Sequence, residues 1–193
     1  MEIRIFDDKE RRIIYHEHLQ KDFHQSEIKP YALMEKLVNE QRYLCYGAWD
    51  QKELKGYAFF VKGRDNQTLL LDYFAVLSDY RSQGIGGRFI QAIQESMIKD
   101  GLTLIAEVEN PAYASDEQSR DLMNRRIQFY IRNGFKQSKV WSHVFTDEYM
   151  IIYYNAKPHM DEDGLAMELE QLYQAIFGEE TCRARINVRL SAD

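Results

Sequence analysis

Cysteine and proline are scarce in this chain: two cysteines and three prolines occur among 193 residues. Cys45 and Cys182 lie far apart, which is poor material for a disulfide framework or a zinc site and fits a reducing, cytoplasmic location. No apolar stretch approaches the roughly 18 residues that would cross a membrane, and the charged start MEIRIFDDKE lacks the apolar character of a signal peptide. His16 and His18 have no cysteine or further histidine close by, so no metal site is expected. Positive charge is also short. Twenty-five lysines and arginines stand against thirty-one acids, for a net charge of −6. That balance argues against a nucleic-acid binder, whose affinity rests on basic patches. It is an ordinary solvated surface or, on the sharper reading, a field that favours cationic substrates.

What remains is ample material for a core, with 45% hydrophobic and 13% aromatic residues. Ile3 and Ile5 alternate with charges as in a short strand. Asp7 and Glu10 have capping-box spacing, and Tyr15, Leu19 and Phe23 follow at helical intervals. Pro30 opens a second helix with the stripe Leu33, Met34, Leu37 and Val38. From residue 43 the runs YLCYGAW, GYAFFVK and TLLLDYFAV, separated by short polar stretches, predict an antiparallel meander over 43–76. A helix over 88–100 carries Phe89, Ile90, Ile93 and Met97, and Gly101 takes its C′ position. LTLIAEVE is the next strand. Ser115 and Gln118 form a capping box for a helix to Asn133, striped by Met123, Ile127, Tyr130 and Ile131. Two strands, FKQSKVWSHVF and EYMIIYYNA, follow.

Beyond Pro158 the spacing of Leu165, Leu169, Leu172 and Ile176 predicts one amphipathic helix, docked on its own domain or on a second copy. The last sixteen residues read as a loose or partner-docked tail. The expected organisation is an α/β (α+β) domain over 1–156, with a mostly antiparallel mixed sheet, and a C-terminal helix and tail over 157–193.

The segment DYRSQGIGGRF, residues 79–89, concentrates three of the chain's ten glycines between a strand and a helix. Bare backbone there can approach a ligand closely and aim several N–H groups one way, which together with the helix dipole makes an anion site. A glycine-rich turn that merely redirects the chain is the plainer alternative. No Walker-type string exists. A dinucleotide fingerprint would find Gly84, Gly86 and the acid Glu107. It fails because Phe89 replaces the third glycine and because Leu77–Gln83 separate the strand from Gly84.

Arg81-Ser82-Gln83-Gly84-Ile85-Gly86 matches [RQ]-x-x-G-x-[GA] and resembles the pyrophosphate signature of the GNAT superfamily of N-acetyltransferases. RRIQFYIRNGF, residues 125–135, is similar to the family's second signature, a helix with a late tyrosine followed by Gly-Phe. The resemblance covers roughly residues 1–156 and implies a GNAT fold that uses acetyl-coenzyme A as co-substrate. Backbone groups of Phe74, Ala75 and Val76 would pair with the pantetheine arm. Arg81, Ser82, Gln83, Gly84, Ile85, Gly86 and Gly87 would surround the pyrophosphate, with Arg88 as an extra neighbour. The family often carries an asparagine seven positions before the tyrosine. Met123 stands there, so no contact is carried over to Asn124.

The resemblance makes Tyr130 the proton donor to the leaving thiolate, against the plainer role of a core tyrosine. Some relatives place a catalytic glutamate where Glu107 lies, so Glu107 is the expected base, with Glu109 and Asp72 as fallbacks. The implied reaction is acetyl transfer to a primary amine of a small molecule or peptide, by direct attack in a ternary complex. A non-catalytic coenzyme A sensor or scaffold of the same fold is the alternative. Asp116, Glu117 and Asp121 either attract a cationic amine or complement a helix dipole. Trp49, Tyr57, Phe59, Trp141 and Tyr153 are candidates for an acceptor pocket, or simply core.

Overall fold

The structure, a computed structural model, describes residues 1–64, 67–97, 102–155 and 160–191. Its strands are β1 Glu2–Ile5, β2 Tyr43–Asp50, β3 Glu53–Lys62, β4 Thr68–Val76, β5 Thr103–Glu109, β6 Lys136–Val144, β7 Asp147–Asn155 and β8 Ile186–Leu190. Its helices are α1 Asp8–Ile13, α2 Gln20–Asp22, α3 Tyr31–Asn39, α4 Ile85–Met97, α5 Glu117–Arg132, α6 Glu162–Phe177 and α7 Glu179–Arg185. The described strands form a mixed, mostly antiparallel sheet of eight in the order β1-β2-β3-β4-β5-β7-β6-β8, flanked by helices. Two compact units are present, Met1–Val61 with Leu71–Met97, and Lys62–Leu70 with Ile98–Asp193.

In the first unit the Asp7–Glu10 capping box forms as its spacing predicts. The Glu10 amide donates to Asp7 Oδ1 at 2.8 Å, and the Asp7 amide donates to Glu10 Oε2 at 3.0 Å. Between α1 and α2 the chain runs on through a π-helical stretch, Ile14–Leu19, which buries Ile14 beside the expected Tyr15 and Leu19. β2 and β3 pair antiparallel from Tyr43↔Val61 to Asp50↔Glu53. The two residues left at their tip, Gln51 and Lys52, both take positive φ (50° and 68°), the backbone of a type I′ hairpin built without glycine. Tyr57, Phe59 and Phe60 are fully buried. Tyr57 and Phe59 are therefore core, and they do not line an acceptor pocket.

In the second unit β5 and β6 each pair antiparallel with β7, setting Glu107 opposite Ile151 and Ser142 opposite Tyr149. The N-cap of α5 is Asp116, not the expected Ser115. Asp116 Oδ1 accepts from the Ser119 amide at 2.7 Å, because a carboxylate is a stronger acceptor than a hydroxyl and gains from the helix dipole. Ile127 and Tyr130 are buried, whereas Ile131 is 37% exposed and falls outside the stripe. The α4 helix begins at Ile85 rather than 88, and the expected end at Gly101 lies outside the described residues, as does Pro158.

The C-terminal segment departs most from expectation. Residues 179–190 are neither loose nor unpaired: α7 leads into β8, which pairs antiparallel with β6 from Val140↔Leu190 to Val144↔Ile186. The alternation of Ile186, Val188 and Leu190 with Asn187 and Arg189 is the period-two pattern that accounts for it. Leu165, Leu169, Leu172 and Ile176 of α6 are all buried within the chain, so the stripe docks on its own unit and offers no association surface. Leu169→Ala should lower stability by about 2–5 kcal/mol in a denaturant melt, the usual effect of emptying a leucine-sized site. An unchanged midpoint would show that α6 contributes no core.

Candidate functional site

The glycine segment folds as its composition demands. A short 3₁₀ turn, Ser78–Tyr80, follows β4, and the next turn places Ser82 and Gly84 at φ 62° and 72°. A side chain on Gly84 would meet no neighbouring atom within 4 Å, so the glycine is required by its left-handed backbone and not by crowding. The Gly84 carbonyl accepts the first helical bond, from the Arg88 amide at 3.2 Å. The amides of Ile85, Gly86 and Gly87 therefore have no acceptor inside α4, and they carry the positive end of its dipole. Ile85 and Phe89 are buried and anchor this turn, while Arg81 to Gly84 are exposed. Gln83 braces the loop from within, its Nε2 donating to the Asp79 carbonyl at 3.0 Å.

Arg81 is held by a clamp that no local pattern announces. Its Nε donates to the Val76 carbonyl at 2.9 Å, and its guanidinium pairs with Asp22 at the end of α2. The Tyr57 hydroxyl donates to the other oxygen of Asp22 at 2.9 Å. One arginine thus ties the exit of β4 to the loop that follows it. Arg88 is freer, more than half exposed and 4.0 Å from Asp50. At the end of β4, Ala75 lies against Gly56 of β3 so closely that a Cβ on Gly56 would stand 2.5 Å from the Ala75 carbonyl oxygen. The Phe74 ring packs on Phe89 with centroids 5.2 Å apart.

Asp72 is committed elsewhere. Its side chain is 2% exposed, paired with Lys29 Nζ at 2.5 Å and accepting from the Tyr43 hydroxyl. With both oxygens already taken by donors, this carboxylate is poorly placed to take a proton from a substrate. Cys45 is buried and its thiol pushed far up by desolvation, which removes it as a nucleophile.

The second unit holds the two expected catalytic side chains. Tyr130, on the last turn of α5, is 7% exposed and packs against Phe129 and Phe135 with ring centroids 5.2 and 5.1 Å away. Burial pushes its hydroxyl up to about 12, and the nearby Arg126 charge pulls the other way. Among the described residues its hydroxyl makes no hydrogen bond. Glu107, in the middle of β5, accepts from the Tyr173 hydroxyl of α6 at 2.5 Å. Tyr173 also meets Ser142 Oγ at 2.8 Å. Glu109, two residues on, pairs with Arg126 of α5. Asp116 serves as the α5 cap, its carboxyl held below the usual range chiefly by the Ser119 amide. No group of acids, histidines or cysteines able to hold a metal occurs among the described residues. No described helix is long and apolar enough to cross a membrane.

A family model for the acetyltransferase (GNAT) domain matches residues 41–137, a span that contains the glycine loop, Glu107 and Tyr130. YjbC of Bacillus subtilis (strain 168), named as an acetyltransferase, is 27% identical over 169 residues, covering 84% of this chain and 80% of its own length. A GNAT-family protein from Bacteroides thetaiotaomicron superposes with a TM-score of 0.71 at 18% identity, over 92% of this chain and 99% of that one. A Bacillus subtilis acetyltransferase solved in complex with coenzyme A does so with a TM-score of 0.52 at 17% identity, over 80% and 98%.

Proposed function

The chain belongs to the GNAT family and is an acetyl-coenzyme A dependent acetyltransferase; on that premise we propose that it acetylates a primary amine of a small molecule or peptide by direct attack in a ternary complex. The observation that carries the reading is the start of α4, where the amides of Ile85, Gly86 and Gly87 lack helical acceptors behind a left-handed Gly84. Such a turn suits the diphosphate of the acyl donor. Ser82 and Gln83 shape the loop, Arg81 holds it to β4, and the backbone of Phe74 to Val76 serves the pantetheine arm.

The chemistry then needs little from the protein beyond placement and two proton transfers. Glu107 takes a proton from the acceptor ammonium. The freed nitrogen lone pair forms a C–N bond to the thioester carbonyl carbon, and the C–S bond breaks as Tyr130 gives its hydroxyl proton to the departing sulfur. The second proton lost from the acylated nitrogen returns through solvent to the tyrosinate. With its hydroxyl pushed up to about 12, Tyr130 stays protonated over the working range, as a donor must. An unbonded hydroxyl on Tyr130 favours this reading over a silent coenzyme A sensor, which would have no use for it. A panel of amines, peptides and aminoglycosides with thiol release as readout tests the proposal. Acetylated product is expected, and binding of acetyl-coenzyme A with no turnover on any acceptor would point to the sensor.

The Arg81 clamp makes a separate prediction. Asp22→Asn removes the charge that orients the guanidinium, so the loop should lose its preset shape. The KM for acetyl-coenzyme A should rise on the order of tenfold with kcat little changed, the scale of one charge-assisted hydrogen bond. A fall in kcat at unchanged KM would place Asp22 in the chemistry instead.

A further inference from the structure

We propose that Tyr173, on the C-terminal helix beyond the matched family segment, is a positioning residue that holds Glu107 in its ionised form and orientation for proton removal from the acceptor. The inference rests on the reading of Glu107 as the base. Three side chains carry it. Tyr173 is 2% exposed and Ser142 fully buried, so neither hydroxyl can turn to water. The phenol has one proton and two oxygen neighbours, Glu107 Oε1 at 2.5 Å and Ser142 Oγ at 2.8 Å. A carboxylate can only accept, so Tyr173 donates to Glu107 and Ser142 donates to Tyr173. The chain of donation runs in one direction, Ser142 to Tyr173 to Glu107, and each bond polarises the next.

The arrangement has a consequence for acidity. A hydrogen bond donated to a carboxylate stabilises its charged form. Tyr173 can supply it at any working pH, because burial first and the Glu107 charge second hold its own hydroxyl well above the usual range. Near this pair in the same unit, Tyr149 of β7 bears on Tyr173, and Glu109, two residues along β5, is paired with Arg126 of α5. Tyr173 brings its donor to Glu107 from α6. Leu169, Leu172 and Ile176 of the same helix are buried and anchor it. Phenylalanine would fill the same space, so a hydroxyl aimed at a carboxylate points to a role beyond packing.

The test is the pH dependence of kcat at saturating substrates, which reports groups in the substrate complex. Glu107→Gln should erase the acidic limb. Tyr173→Phe should keep the limb but move it upward by about one pH unit, with the plateau rate within about threefold of the parent. Ser142→Ala, which weakens the donor without removing it, should move the limb the same way by less. Loss of the limb in Glu107→Gln with no displacement in Tyr173→Phe would overturn the positioning role while leaving the base intact. A limb that survives Glu107→Gln would overturn the base reading and this inference together. If Tyr173→Phe fails to fold in a thermal melt, Ser142→Ala decides, and an unmoved limb there rejects the proposal.

Discussion

Tyr130→Phe lowers kcat on the order of tenfold to a thousandfold while acetyl-coenzyme A still binds, the range for loss of a general acid. The ring remains, so packing against Phe129 and Phe135 is preserved and the fold should hold. What disappears is a hydroxyl without a hydrogen-bond partner among the described residues. On the proposed mechanism that hydroxyl protonates the departing thiolate, and without the proton the break of the C–S bond becomes harder. Steady-state kinetics together with calorimetry for the donor separates the two steps. An unchanged kcat would remove Tyr130 from the mechanism, and lost donor binding would assign it to substrate recognition.

Gly86→Leu abolishes acetyl-coenzyme A binding, with an affinity loss of at least about a hundredfold, and leaves the domain folded. Gly86 is the second residue of α4, in a turn whose amides have no helical acceptors. Leucine is a better helix former than glycine, so α4 itself should not suffer. The loss comes from bulk set where the diphosphate must approach backbone amides, since several charge-assisted bonds lengthen or fail together. Circular dichroism and a thermal melt should match the parent. Retained affinity would show that the donor does not lie over this turn.

Much of this was legible in the residues. Runs of alternating or continuous aromatic and aliphatic residues over 43–76 marked β2, β3 and β4, because strand burial imposes its period on the chain directly. The turn before α4 was legible from its three clustered glycines, and only the motif spacing, not the glycines alone, set an anion site above a plain change of direction. β8 was missed because five residues carrying an asparagine and an arginine give only a faint alternation. The hairpin at Gln51 and Lys52 takes left-handed backbone without the glycine that usually signals it. The Asp22 clamp and the Tyr173 bond to Glu107 were not legible at all. Their partners lie 59 and 66 residues apart, and only tertiary packing brings such pairs together. A tyrosine set beside an otherwise aliphatic stripe on α6 was the one available hint that a polar tip was wanted in the core.

The central claim is that the first turn of α4 holds the donor's diphosphate through its backbone, and amide resonances report on that turn directly. In a titration of the isotope-labelled protein with acetyl-coenzyme A, followed by nitrogen–proton correlation spectra, the amides of Ile85, Gly86 and Gly87 should show large, saturable shifts with a common midpoint. Resonances that stay in place at concentrations where acetyl transfer is already saturated would contradict the account.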